Sequence, residues 1–172
     1  MKKLVSLIIV SLFITFNLSA QGDINRVFNS YGVYGLLDTW ENADSISKLG
    51  FKYVILYTGG QYTGNWPDII LTNTQSCKNA NLDVIVDVES VEQVKIICEH
   101  LKNEPNIIGW LVSDEVDDKK IPISTQNDLI NEIKVHSSLP IFGSSNYRDA
   151  RFSNGISDKY DYIFRFFIKV SG

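Results

Sequence analysis

The chain has 172 residues, of which 44% are hydrophobic and 21% charged, with a formal net charge of -4. This is the balance of one ordinary globular domain. The mild acidity and the lack of a basic run argue against a surface that tracks nucleic-acid phosphates, so no nucleic-acid partner is expected.

Met1–Ala20 reads as a secretory signal peptide, and residues 21–172 as the domain itself. Lys2 and Lys3 form the charged start, Leu4 to Phe16 the apolar centre, and Asn17-Leu18-Ser19-Ala20 a small, polar end with Ala before the cut. The apolar centre is shorter than the roughly 20 residues of a spanning helix, which favours cleavage over anchoring. The expectation is a secreted or periplasmic protein with no stable membrane insertion once the signal is removed.

Tyr31 to Leu37 is predicted as a first strand. Asp38-Thr39-Trp40-Glu41 opens a helix, with Asp38 as N-cap and Glu41 three residues on. Ala43, Ile46 and Leu49 recur at helical spacing, and Gly50 ends the helix. Phe51 to Tyr57 is a second strand whose almost unbroken apolar run indicates burial on both faces. Thr58 to Pro67 is a glycine-rich loop carrying Tyr62 and Trp66. Asp68 to Ala80 is a helix with Ile70, Thr74 and Cys77 inward. Leu82 to Val88 is a third strand that surfaces at Asp87 and Glu89.

Ser90 and Gln93 form a capping box. Val94, Ile97, Cys98 and Leu101 then give a helical apolar stripe, which Pro105 closes. Ile107 to Val112 is a fourth strand. It runs into Ser113-Asp114-Glu115 and then Asp117-Asp118, so it must surface there, because unpaired buried charge is too costly. A helix from Ser124 and Thr125 carries Leu129, Ile130 and Ile133. Leu139 to Gly143 is a short fifth strand ending in Ser144-Ser145-Asn146. Tyr147 to Asp158 reads as loop, and Tyr160 to Val170 as a sixth strand.

Strand followed by helix, repeated, means an α/β protein with a parallel sheet and helical crossovers. Two architectures fit: a partial (β/α)8 barrel with about six βα units, and an open doubly wound sheet. A barrel usually needs about 250 residues, so length favours the open sheet. Against it, no Gly-rich phosphate loop follows the first strand. Polar or aromatic residues also close nearly every strand, as a barrel mouth requires: Asp38 and Trp40, Tyr57, Asp87, Ser113 to Glu115, and Asn146.

Cys77 and Cys98 fall on consecutive helices and read either as two buried small residues or as a bridge between neighbouring helices. With His100 and His136, they show no Cys-x-x-Cys or His-x-x-x-His spacing, so no metal site and no cofactor is expected.

Gly109-Trp110-Leu111-Val112-Ser113-Asp114-Glu115 resembles the fourth strand of barrel-type glycoside hydrolases, many of which read Gly-Trp-aromatic-x-x-Asp-Glu-Pro there. The resemblance runs from Tyr31 to about Val170, with Val116 at the family's Pro. It is not of the chitinase type, because Ile108, Leu111 and Ser113 stand where that pattern has three Asp. The resemblance implies Glu115 as the acid/base, preceded by Asp114. Retaining relatives take their nucleophile from a seventh strand. Only six strands are predicted here, which reads as a barrel cut after its sixth strand and leaves Asp87 as the substitute second carboxylate. Asp38, Trp40, Tyr57, Trp66 and Asn146 are the candidate substrate-binding residues, and Trp110 by alternation points into the core. The implied function is hydrolysis of glycosidic bonds in a poly- or oligosaccharide, provided the barrel is completed. The alternatives are a non-catalytic carbohydrate-binding protein and an inactive barrel fragment.

Overall fold

The computed structural model describes residues 32–35, 43–58, 65–112, 121–146 and 157–166. They form β1 (Gly32–Gly35), α1 (Ala43–Lys48), β2 (Tyr53–Leu56), α2 (Trp66–Asn79), β3 (Asp83–Val88), α3 (Val91–Leu101), β4 (Ile107–Val112), α4 (Ile123–His136), β5 (Ile141–Asn146) and β6 (Tyr162–Phe166). The strands make one six-stranded sheet in the order β1-β2-β3-β4-β5-β6, and every neighbouring pair is parallel.

This order decides between the two architectures. A doubly wound sheet reverses its strand order at a switch point and places helices on both faces. Here the order never reverses. The apolar residues divide by face in the same sense. Val54, Leu56, Val84, Val86, Val88, Trp110, Val112 and Ile141 share a core with Ile70, Cys77, Val94, Ile97, Leu129 and Ile133 of the helices. Tyr53, Ile55, Ile85, Ile108, Leu111 and Phe142 form a second cluster that contains no helical residue. All the described helices that reach the core therefore lie on one side, and the other face is lined by strands alone. That is the arrangement of a (β/α)8 barrel, helices outside and strand side chains within. The open doubly wound alternative is set aside on this ground.

The local reasons follow from the sequence. Pro67 in the first turn starts α2, since a missing N–H costs nothing there. The helix begins at Trp66, two residues before the sequence expectation. Asn81 adopts a left-handed φ of 58° just after it and turns the chain toward β3. Gly50 ends α1 at φ 92°. Ser90 caps α3, its hydroxyl accepting from Gln93 N at 3.2 Å, while the Gln93 amide oxygen accepts from Glu89 N at 2.8 Å. The reciprocal bond thus reaches one residue further back than the usual capping box. Pro122, rather than Ser124 or Thr125, occupies the N-cap of α4.

A register irregularity lies where Val84 pairs with Ile107 but Ile85 pairs with Gly109. Ile108 is the extra residue of this bulge, and the alternation of β4 changes phase across it. Trp110 is thereby sent to the helix side and Leu111 to the inner face. The Trp110 indole N–H donates to Ser137 Oγ at 2.9 Å. Gly109 is required beside the bulge: a Cβ there would lie 2.4 Å from the Phe142 ring.

Buried polar groups fasten the loops at the opposite end of the sheet. The Asn106 amide donates to the carbonyls of Thr74 at 3.0 Å and Leu82 at 3.2 Å. Between β5 and β6, buried Gln126 of α4 is the anchor. Its amide nitrogen donates to Ile121 O at 2.9 Å. Its oxygen accepts from Ser157 N at 3.0 Å and from the Tyr160 hydroxyl at 3.1 Å. Burial holds the Tyr160 phenol well above its usual titration range. Cys77 and Cys98 are both free and buried, so the reading of two small core residues holds. Among the described residues, no helix is long and apolar enough to cross a membrane.

Candidate functional site

The parallel strands bring all their C-terminal ends to one edge, which is where a (β/α)8 barrel binds and transforms ligands. In the described residues that edge comprises the exits of β2 at Tyr57 and Thr58, of β3 at Asp87 to Glu89, of β4 at Val112, and of β5 at Ser144 to Asn146. The ladder fixes their relative heights. Asp87 lies opposite Leu111, and Val88 opposite Val112. Val112 lies opposite Gly143, and Asn146 opposite Phe166.

The β2 and β3 exits are tied together. Thr58 Oγ1 donates to the Asp87 carbonyl. The Gln93 side chain donates to Thr58 O at 3.4 Å while it accepts from Glu89 N. The Tyr57 hydroxyl donates to Glu89 Oε1, also at 3.4 Å. Thr58 is fully buried, whereas Tyr57 and Glu89 are half-buried. Two strand ends and the first turn of α3 are thus held in one polar circuit, and the Tyr57 and Glu89 side chains stand at its outer margin.

Asp87 is buried completely. Val86 and Val88 belong to the helix-side core and Ile85 to the inner face, so Asp87 lies on the inner face by alternation. Phe142 and Tyr162 continue that face, with ring centroids 5.5 Å apart. Ser144, two residues beyond Phe142, is buried on it as well. Tyr53 closes the face at its lower end, and burial raises its phenol above the ordinary value.

The remaining sequence candidates are placed as follows. Asp38, Trp40, Asp114 and Glu115 lie outside the described residues. The chain enters the Asp114–Glu115 segment from Val112, at the rim just described. Trp66 is not in a loop: it is the first residue of α2, partly buried and packed against the helix-side core. Asn146 does not follow β5 but is its last residue. The sequence shows Glu89 beside Asp87 as an acid at the exit of the third strand, but it singles out neither Gln93 nor Thr58 for the site. Their signal was the capping pattern itself, which fixes the backbone at a strand exit and so also fixes what projects from it.

Comparison with known protein families gives no match, and neither does comparison with curated proteins. Solved structures do share the fold. A variant of the GH5_18 protein of Bifidobacterium longum, in complex with Manb1-4GlcNAc, superposes with a TM-score of 0.54 at 12% identity, over 73% of this chain and 46% of that one. The corresponding GH5_18 variant of Streptomyces cattleya gives 0.50 at 13% identity, over 64% and 40%. The endoglucanase Cel5A of Pseudomonas stutzeri gives 0.50 at 9% identity, over 60% and 42%. The chain spans less than half the length of each. At these identities the likeness is one of fold alone, that of part of a (β/α)8 barrel.

Proposed function

We propose that this chain is a secreted glycoside hydrolase-like protein that cleaves glycosidic bonds in a poly- or oligosaccharide, with Glu115 as general acid/base. The observation that carries the reading is the sheet itself. Its strands run parallel in consecutive order, and β4 delivers the chain at the ligand-binding edge immediately before Asp114 and Glu115. The barrel likeness to glycoside hydrolases supports the same assignment.

The chemistry asks for a carboxyl group that gives its proton to the departing glycosidic oxygen, and a second carboxylate on the other side of the bond. Glu115 fills the first role, with Asp114 beside it. Asp87 is one layer too deep to meet substrate, since it is fully buried. It serves as a positioning residue under the rim rather than as a nucleophile. Tyr57 and Asn146, at the exits of β2 and β5, and Asp38 and Trp40, following β1 in sequence, are the sugar-binding candidates. Trp66 is the weakest of them, because its ring packs on the helix-side core. Met1–Ala20 serves as the export signal in this reading.

Glu115→Gln tests it. Turnover across a glycan panel should fall about 10²–10⁴-fold, the usual contribution of a positioned acid or base, with binding retained. Unchanged turnover in this variant would remove Glu115 from the mechanism. Binding without hydrolysis by the unaltered chain, over the whole panel, would instead identify a carbohydrate-binding protein.

A further inference from the structure

We propose that one ordered water molecule is bound beneath α2, shared between Thr74 Oγ1 and Asn106 Oδ1, as a fixed part of the foot of the sheet. The site lies where β3 and β4 begin, at the edge opposite the rim, and does not depend on the reaction proposed there.

Thr74 is the polar member of the inward face of α2, between Ile70 and Cys77, and it is fully buried. Two neighbouring hydroxyls of this helix are satisfied locally. Thr72 Oγ1 donates to Asp68 O at 2.8 Å and Ser76 Oγ to Thr72 O at 3.0 Å, the usual recourse of a hydroxyl inside a helix. Thr74 Oγ1 makes no such bond and has no partner. Asn106 is 8% exposed, and its Oδ1 is likewise buried without a partner. The two atoms flank one bond, because the Asn106 amide nitrogen donates to the carbonyl of Thr74 itself at 3.0 Å. The amide is not free to turn over. Its nitrogen also donates to Leu82 O at 3.2 Å, and reversal would set its oxygen against both carbonyls.

Two neighbouring buried groups thus want complements: a hydroxyl with a hydrogen to give, and an amide oxygen that only accepts. Leaving both unpaired away from solvent is costly. A water answers both, accepting the Thr74 hydroxyl hydrogen and donating one of its own to Asn106 Oδ1. An ion does not suit the place. Both groups are neutral, and the residues adjoining them in sequence or on the same helix face, Ile70, Cys77, Leu82 and Ile107, belong to the helix-side core. A charge there would be desolvated without a counter-charge. Enclosed waters typically make about two to four hydrogen bonds to polar groups of this kind.

The test is a crystal structure of the full chain at a resolution that shows ordered water, beside urea unfolding of Thr74→Val, which keeps the side-chain shape and removes the hydroxyl. One density peak should lie within about 2.5–3.2 Å of both Thr74 Oγ1 and Asn106 Oδ1. Thr74→Val should lower the urea midpoint by about 0.5 M, because the water loses a partner and Asn106 Oδ1 a well-held donor. A refined structure with no peak there, or with a peak that reaches only one of the two atoms, overturns the proposal. So does a Thr74→Val midpoint at or above the parent's, since a hydroxyl removed without cost was holding no water.

Discussion

Replacing Gln126 by Leu keeps the side-chain volume and removes its bonds to Ile121, Ser157 N and Tyr160. Among the described residues, this leaves α4 only the bond that Asn127 Oδ1 accepts from Ser157 Oγ at 2.6 Å to hold the segment before β6. Ser157 is 3% exposed, so its N–H loses its partner without gaining water. Such a group costs about 1–3 kcal/mol. The Ile121 carbonyl and the Tyr160 hydroxyl are half-buried and recover solvent in part, adding at most about 1 kcal/mol each. The expected loss is about 2–4 kcal/mol, a large share of a typical domain's stability. With a urea slope of about 2 kcal/mol per M, the midpoint should fall by about 1–2 M. Tyr160→Phe alone should cost about 1 kcal/mol, and close to nothing in the Gln126→Leu background, a coupling of about 1 kcal/mol. A loss below about 0.5 kcal/mol for Gln126→Leu, typical of an exposed position, would refute the reasoning. So would additivity of the two changes, which would show that the phenol does not depend on that amide.

Two further outcomes are expected. Gly109→Ala brings a Cβ to 2.4 Å from the Phe142 ring and 2.9 Å from the Pro140 carbonyl, and should cost about 3 kcal/mol or more by thermal unfolding. Gly50→Ala meets no atom within 4 Å but sits at φ 92°, and should cost only about 1–2 kcal/mol. An equal loss at the two positions would contradict the bulge packing. Alkaline pH should also destabilise the fold. Burial pushes the Cys77 thiol up to about 11, and burial with Glu132 pushes Cys98 up to about 12. Both values lie above the roughly 8.5 of an unfolded thiol. The stability they confer is complete below about pH 8.5 and is lost as pH rises toward their folded values. The urea midpoint should thus fall between about pH 8 and pH 10.5, and fall less in a Cys77→Ala/Cys98→Ala variant. An identical pH slope in that variant would count against thiol burial as a cause; Tyr53 and Tyr160, also raised by burial, act in the same direction.

The parts of this fold that were legible in the sequence are those governed by burial. β2 and β4 are continuous apolar runs, and β3 is one but for Asp83 and Asp87, because both of their faces are covered, and α3 carries a complete apolar stripe with its cap. The parts governed by partners in space were misjudged. Leu139 and Pro140 look like the start of a strand, yet β5 begins at Ile141 and extends through Ser144, Ser145 and Asn146, where the ladder with β6 decides. The β4 bulge left no mark in hydropathy: Gly109 signals it only once Phe142 is seen beside it. Ser157 reads as plain loop and Tyr160 as the start of the sixth strand, which begins only at Tyr162, because the partner of both, Gln126, is thirty-odd positions away. At the site, the acids were visible as strand ends. Full burial of Asp87 and half-burial of Glu89 were not, since both follow the same apolar run and differ only in depth.

The sheet adds each strand beside the one that came before it in the chain. No strand has to wait for a distant segment in order to find its neighbour, so the loops closed at each step stay short and their entropic cost stays low. Such a chain can mature in the direction of its synthesis, each βα unit docking on an edge that already exists. It also means that a fault in one unit, such as a misplaced Gly109 or a lost Gln126, stalls the growing edge there while the units before it remain able to form.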